Sequence, residues 1–408
     1  WIHSEEAKSI SKVCQHVWLK NNTAILYDNR IPIAERDFKV LDPEKPDVLT
    51  SLLDNKKAVK NLNQILGDSL KGLDWPVSFD SNGEKLSREV EKKIEKLLNQ
   101  NLDSVETSKL GKARRFDESG DRYIEFCKGT VPDEISFSSL RVVLDCANGA
   151  CYKVTPAVFE ELGAEVICIG TDPDGFNINK NCGSTFPENI KKEVLSRRAD
   201  FGIALDGDGD RVVLIDKDGN ELDGDDLLYI LAFSNPNRTG KWSGVVGTQM
   251  SNLGLEDGLK KLGYKFARAN VGDKFVSEML TKKGWMLGGE TSGHIICKDL
   301  VSTGDGTIAA LKVISSLLLL EKTPSEVLVN FMKIPQVNKA VQVANKDILN
   351  DKDIRSIIKE IESDITVGRI LVRPSGTESK IRIMIEASEC KVAEKFASDV
   401  EELIKSKA

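Results

Sequence analysis

Residues 201–211 read FGIALDGDGDR. The first five are apolar or small without a break, as in a strand covered on both faces. The next six, Asp206-Gly-Asp208-Gly-Asp210-Arg211, set carboxylates at every second position with glycine between them. Glycine lets the backbone turn tightly, so the three acids can converge. Converging carboxylates repel unless a cation neutralises them, and an all-oxygen set suits Mg²⁺ or Ca²⁺. An EF-hand loop fits poorly: its sixth position, a glycine by rule, is Arg211, and its twelfth, a glutamate by rule, is Lys217. The alternative is a solvated acidic turn. Downstream, Asp216-Lys-Asp218-Gly219-Asn220 follows the strand VVLI, precedes another short strand and reads as a hairpin turn.

Outward from this point the pattern alternates. Leu140–Cys146, 164–169 and Phe201–Leu205 read as strands, with helices predicted over 155–162 and 187–198. The order signals a parallel α/β sheet, whose ligands sit at the carboxyl ends of strands. The unit recurs: strands over 244–247, 264–269 and 285–287, and helices over 253–262, 273–283 and 307–320. Residues 333–408 differ, with two adjacent strands (368–373 and 380–387) between helices over 353–363 and 391–406. That order implies a small antiparallel α+β domain.

The chain has 408 residues, enough for about two to four domains. Its 57 Lys and Arg against 64 Asp and Glu give a net charge of −7. That balance argues against a nucleic-acid binder, which needs an excess of cations. The longest apolar run, 309–320, is broken by Lys312 and falls short of the roughly 20 residues that span a bilayer. No signal peptide is apparent at the N-terminus. The eight cysteines form no C-x-x-C pair, which predicts reduced thiols and a cytoplasmic protein. Residues 1–75 stand apart, with poor apolar periodicity and three of the five tryptophans. The chain opens on Trp1 rather than Met, as a fragment or processed form does.

Two further loops carry chemistry. Gly288-Gly289-Glu290-Thr291-Ser292-Gly293-His294 follows a short strand. Glu290 and Ser292 can hold vicinal sugar hydroxyls, and His294 can shuttle a proton or touch a phosphate. A structural histidine is the alternative. Arg373-Pro-Ser375-Gly376-Thr377-Glu378 lies between two strands. Its arginine offers a fork to phosphate, and Ser375, Thr377 and the amides around Gly376 can form an anion nest, with Arg382 adding charge. The alternative is a plain hairpin. A cation site, a hydroxyl reader and a phosphate cradle together suggest a sugar phosphate and phosphoryl transfer.

Collinear motifs support this reading: DSNGEKLS (80–87), RYIEFCK (122–128), VLDCANGA (143–150), GIALDGDGDRV (202–212), VGTQMSNLGLE (246–256), ARANVGDK (267–274), GGETSGHI (288–295), TGDG (303–306) and RPSGTES (373–379). From about residue 78 onward the chain resembles the α-D-phosphohexomutase family, most of all its bacterial amino-sugar branch. The resemblance implies tandem three-layer α/β domains with mixed sheets and a C-terminal α+β domain of the TATA-binding-protein-like type. In this chain they would be a remnant of the first domain (76–138), a metal-binding second (139–238), a sugar-binding third (239–322) and a phosphate-binding fourth (323–408), behind an unmatched segment (1–75). It implies an enzyme that interconverts glucosamine 6-phosphate and glucosamine 1-phosphate for cell-wall precursor synthesis. The expected cofactors are one Mg²⁺ per chain and a sugar 1,6-bisphosphate as activator or intermediate.

The residue roles implied are Asp206, Asp208 and Asp210 on the metal, with Arg211 beside them; Glu290 and Ser292 on the sugar, with His294 nearby; and Arg373, Ser375, Gly376 and Thr377 on the non-reacting phosphate. The protein is expected to work as a monomer or homodimer, with a small-molecule sugar phosphate and neither nucleic acid nor membrane. Two departures bear on function. The amino-sugar branch usually has Asn or Gln where Thr291 stands, so glucose or mannose phosphates are alternative substrates. The family's phosphoserine loop, of the form T/S-A-S-H-N-P, has no counterpart: 67–79 reads GDSLKGLDWPVSF, and Ser69 is not given the role. Without a serine carrier the covalent relay fails. A catalytically disabled sugar-phosphate binding protein is therefore one alternative, and a Mg²⁺-dependent phosphatase another.

Overall fold

The computed structural model describes residues 14–20, 23–28, 118–375 and 379–407, with scattered positions between 89 and 96. Strands β1 (Cys14–Lys20) and β2 (Thr23–Asp28) pair as an antiparallel hairpin. The stretch 67–79, the expected place of the phosphoserine loop, lies outside the described residues, as do most of the expected 1–75 segment and Gly376 and Thr377. The described chain forms two units, one including 118–222 and 296–315, the other 223–295 and 316–407.

In the first unit, helix α1 (Ser119–Lys128) precedes β3 (Arg141–Asp145), α2 (Val154–Glu161), β4 (Glu165–Ile169), α3 (Glu188–Arg197) and β5 (Phe201–Leu205). β3 pairs with both β4 and β5 in parallel. All five residues of β5 are buried, as a central strand covered on both faces requires. β6 (Val212–Asp216) then turns back antiparallel, with Leu205 opposite Val212, and β7 (Glu221–Leu222) follows it antiparallel. The sheet is therefore mixed where simple alternation predicts a parallel one. Residues 206–211 are too few for a crossover and can only make a hairpin. The predicted turn at Asp216–Asn220 is present: Asp216 Oδ1 accepts from the amides of Asp218 and Asn220 at 3.0 and 2.8 Å. One face of the sheet packs Val143, Ala204 and Ile215 on Ile190 and Val194 of α3. Each such Val or Ile side chain contributes about 1.5–3 kcal/mol on burial.

The second unit begins with helix α4 (Gly224–Ser234), followed by β8 (Gly244–Thr248), α5 (Leu253–Lys261), β9 (Lys265–Ala269), α6 (Asp273–Lys283) and β10 (Leu287–Gly289). β8 pairs in parallel with β9 and β10. The last strand starts two residues later than predicted. The Trp285 indole lies against the backbone of β8, where a methyl on Gly244 would meet it at 2.4 Å, while Gly288 pairs with Val246. After β11 (Ile295–Cys297), helix α7 (Gly306–Leu320) and helix α8 (Pro324–Leu328), the chain enters a three-stranded antiparallel sheet. Its strands are β12 (Gln336–Gln342), β13 (Gly368–Pro374) and β14 (Lys380–Ala387), ordered β12-β14-β13. Helices α9 (Lys352–Asp364) and α10 (Cys390–Lys407) supply Ile354, Ile361, Ala393, Ala397, Val400 and Ile404 to its core. The last four recur at helical spacing, one apolar stripe. Among the described residues no helix is long and apolar enough to cross a membrane, and the cysteines are free thiols.

Candidate active site

The Asp206–Arg211 loop is the hairpin between β5 and β6. Gly209 sits at φ 75°, in the left-handed region that glycine enters at no steric cost. Main chain from two other segments braces the loop. The Ala150 amide donates to the Gly207 carbonyl at 2.7 Å, and the Gly306 amide, at the start of α7, donates to the Gly209 carbonyl at 2.8 Å. Neither brace leaves room for a side chain: a methyl on Gly149 would meet the Gly207 oxygen at 2.3 Å, and one on Gly306 the Arg211 oxygen at 2.7 Å. The loop thus gathers one carboxylate oxygen each from Asp206, Asp208 and Asp210, all within 4.8 Å of one another.

Asp206 is buried and Asp208 exposed. Burial, then the charges of Asp208 and Asp210, push the Asp206 carboxyl up to about 7. The Arg211 amide donates to Asp206 Oδ1 at 3.1 Å, and its Nε lies 3.5 Å from Asp206 and 3.6 Å from Asp210. One guanidinium cannot balance three acids. Octahedral Mg²⁺ with ligands at about 2.1 Å separates its oxygens by at most about 4.2 Å, which these carboxylates reach by small rotations. The donor set therefore fits a hard divalent cation.

Among the residues that hold this loop, Asp145, Tyr123 and Asp305 lie in the motifs VLDCANGA, RYIEFCK and TGDG, but the residue pattern gives them no role. Asp145, wholly buried, accepts from the amides of Ala147 and Gly183 at 2.9 and 2.8 Å and so shapes the 147–150 segment. Asp305 accepts the Tyr123 hydroxyl at 3.0 Å and the Ile308 amide at 2.9 Å, capping α7. Thr155 and Thr307 share a hydroxyl hydrogen bond of 2.6 Å. The one legible signal among them is an Asp three residues before Ile308, an N-cap pattern.

In the second unit the turn between β10 and β11 closes on itself: the Glu290 amide donates to the His294 carbonyl, and Gly293 to the Glu290 carbonyl, both at 3.0 Å. Gly293 takes φ 90°. Glu290 Oε1 accepts from the Gly272 amide at 2.8 Å, which aims the carboxylate. Ser292 is exposed. His294 is 2% exposed, with Nε2 4.0 Å from the Asp273 carboxylate. Arg373 pairs across β13 and β14 with Arg382. Burial, then Arg382, lowers the Arg373 guanidinium, while Glu290 opposes that shift. Glu290 and Arg373 are thus electrostatic neighbours. Ser375 is buried; its amide donates to the Lys380 carbonyl at 2.8 Å, and its carbonyl accepts from Lys346 Nζ at 2.6 Å. Lys346 adds a cation that no sequence pattern announces. The acid triad with Arg211 belongs to the first unit; Glu290, Ser292, His294, Arg373 and Ser375 belong to the second.

Comparison with known proteins divides the chain differently, since the match to domain III takes in residues 296–315 of the first unit. Residues 121–219 match the family model for phosphoglucomutase/phosphomannomutase α/β/α domain II, 223–334 that for domain III and 334–403 that for the C-terminal domain. A phosphoglucosamine mutase of Thioalkalivibrio sulfidiphilus is 48% identical over 335 residues, covering 81% of this chain and 74% of that protein. One from Legionella pneumophila strain Lens is 46% identical, covering 78% and 70%. Among solved structures, a phosphoglucomutase/phosphomannomutase family protein of Burkholderia thailandensis aligns with TM-score 0.62 at 20% identity, covering 78% of this chain and 70% of that one. Aspergillus fumigatus N-acetylphosphoglucosamine mutase, in complex with GlcNAc-6P and magnesium, aligns with TM-score 0.56 at 21% identity, covering 69% of each. The shared domains and the identity over most of the chain establish that it belongs to the phosphoglucomutase/phosphomannomutase family of α-D-phosphohexomutases.

Proposed function

We propose that the chain is a phosphoglucosamine mutase, an intramolecular phosphotransferase that interconverts glucosamine 6-phosphate and glucosamine 1-phosphate. The observation that carries this reading is the identity of 48% to a phosphoglucosamine mutase over 81% of the chain. In this reading Asp206, Asp208 and Asp210 hold one Mg²⁺, which neutralises charge that develops on the transferring phosphoryl group. Arg211 keeps Asp206 and Asp210 in place. Glu290 and Ser292 bind the sugar hydroxyls. His294, beside Asp273, is the candidate proton carrier of the turn. Arg373, with Ser375, Gly376 and Thr377, binds the phosphate that does not react. A sugar 1,6-bisphosphate is the intermediate, and the working location is the cytoplasm, as monomer or homodimer.

Phosphoryl transfer through the enzyme needs a carrier. The sequence holds no Ser-His-Asn-Pro, and we assign none. That absence favours a second reading: a sugar-phosphate binding protein without turnover. One experiment separates the two. The purified chain is incubated with glucosamine 6-phosphate, Mg²⁺ and glucose 1,6-bisphosphate, and binding is followed by calorimetry. Formation of glucosamine 1-phosphate supports the mutase, and binding without product supports the second reading. A chain that neither binds nor converts the substrate refutes both.

A further inference from the structure

We propose that Thr291 is a positioning residue of the 288–294 turn, gripped from behind by Asp225 at the head of α4, and that it does not contact the sugar. The proposal rests on reading that turn as the sugar-binding loop.

Three contacts carry it. The Thr291 hydroxyl donates to Asp225 Oδ2 at 3.2 Å. The Thr291 carbonyl accepts from the Gly224 amide at 3.0 Å. Gly224 approaches so closely that a methyl there would lie 1.9 Å from the Glu290 carbonyl oxygen. Both the main chain and the side chain of Thr291 therefore face the first turn of α4. A hydroxyl has one proton to give. With that proton committed to a buried carboxylate, Thr291 has none for a sugar oxygen.

Asp225 is placed to hold the turn from behind. It is wholly buried. Its Oδ2 takes the Thr291 hydroxyl and the Asn252 amide, the latter at 2.7 Å. Among the described residues its Oδ1 has no hydrogen-bond partner. Asn252 in turn bonds the main chain of Ile334 at 2.8 and 2.9 Å, so the same carboxylate steadies the segment leading into β12. Sugar preference then falls to Glu290 and Ser292, and the exchange of Asn or Gln for Thr at position 291 alters how the turn is held, not what it reads.

The test compares Thr291→Val, Thr291→Ser and Asp225→Asn in the full chain. At pH 8, where Asp225 is ionised, hydrogen exchange at the amides of Glu290 and Gly293 should quicken about tenfold in Thr291→Val, the worth of a hydrogen bond to a charged acceptor. Thr291→Ser, which keeps the hydroxyl, should stay near the parent. Affinities for glucosamine 6-phosphate and glucose 6-phosphate should weaken together in Thr291→Val, with their ratio unchanged. Unaltered exchange in that variant, or a ratio shifted about tenfold, overturns the proposal. A parent chain that binds neither phosphate sinks the sugar-loop reading instead, while the exchange result still decides the grip. Should Asp225→Asn fail to fold, the two threonine variants decide the matter by themselves.

Discussion

Arg369 and Glu386 form a partly buried ion pair between β13 and β14: Nε lies 2.8 Å from Oε2, and the Glu386 side chain is wholly enclosed while the arginine keeps 23% exposure. The same guanidinium donates to the carbonyls of Gln249 and Ser251, each at 2.7 Å. The pair thus pins the loop after β8 to the last sheet. A buried pair adds little over a well-packed apolar couple, but breaking it strands a charge. Glu386→Gln should therefore destabilise the protein by about 2–4 kcal/mol, whereas Arg369→Met with Glu386→Leu should lose less than the sum of the single changes. Urea unfolding of the parent, Arg369→Met, Glu386→Leu and the double variant measures the coupling, and that of Glu386→Gln the cost of the stranded arginine. Additive losses would contradict a coupled pair.

The acid triad makes a prediction whose sign depends on the cation. Without Mg²⁺, Asp206→Asn removes a carboxylate that burial and two acidic neighbours oppose, so the variant should be more stable by about 1 kcal/mol or more at pH 8. With Mg²⁺ at 100 times its dissociation constant the parent gains about 2.7 kcal/mol and overtakes the variant. Thermal melts with and without Mg²⁺ test the crossing. A variant that melts lower in EDTA would speak against repulsion within the cluster.

Arg373→Ala should weaken glucosamine 6-phosphate binding about 10- to 100-fold, the loss expected for charge-assisted hydrogen bonds. Arg373→Lys should recover only part, since an ammonium lacks the planar fork. Titration calorimetry decides, and an Ala variant with undiminished affinity would move the phosphate elsewhere.

Stability should also depend on pH through Asp225. Burial, then Asp223, raises its carboxyl to about 7, against the pull of the Asn252 amide, Lys333 and Thr291. An unfolded Asp titrates near about 4. Between these values the folded chain keeps a proton that the unfolded chain has released, so this group's contribution is complete below about pH 4 and is lost as pH rises through about 7. Its neighbours Asp223 and Asp226 both pair with Lys333, and Asp226 is raised in the same sense by burial. Asp225→Asn should flatten the decline in urea midpoint between about pH 4.5 and 7.5. Parallel curves for variant and parent would exclude Asp225 as the source.

Much of the fold is legible from local pattern. The apolar stripe 393–404 is readable because burial there follows the helical period, and the FGIAL strand because it is a short unbroken apolar run ended by the acidic loop. A longer run buried on every side gives no such signal. Helix α4 is one such run: residues 224–232 are all buried, so no polar face marks a helical repeat. β10 begins later than its apolar neighbours suggest because two of its three residues are glycine, which carries no strand signal. The three carboxylates of the triad can be found because they share one short loop. The roles of Asp145, Asp305 and Asp225 are hidden even where a motif contains the residue, since their partners lie far along the chain and only the fold brings them near.

The Asp206–Arg211 hairpin is braced by backbone amides of Ala150 and Gly306, with no side chain between. Main-chain braces of this kind hold the loop without drawing on the carboxylates. If the triad holds a cation as proposed, binding would alter the local charge and demand little ordering of the backbone. Replacing one acid should empty the site without collapsing the loop.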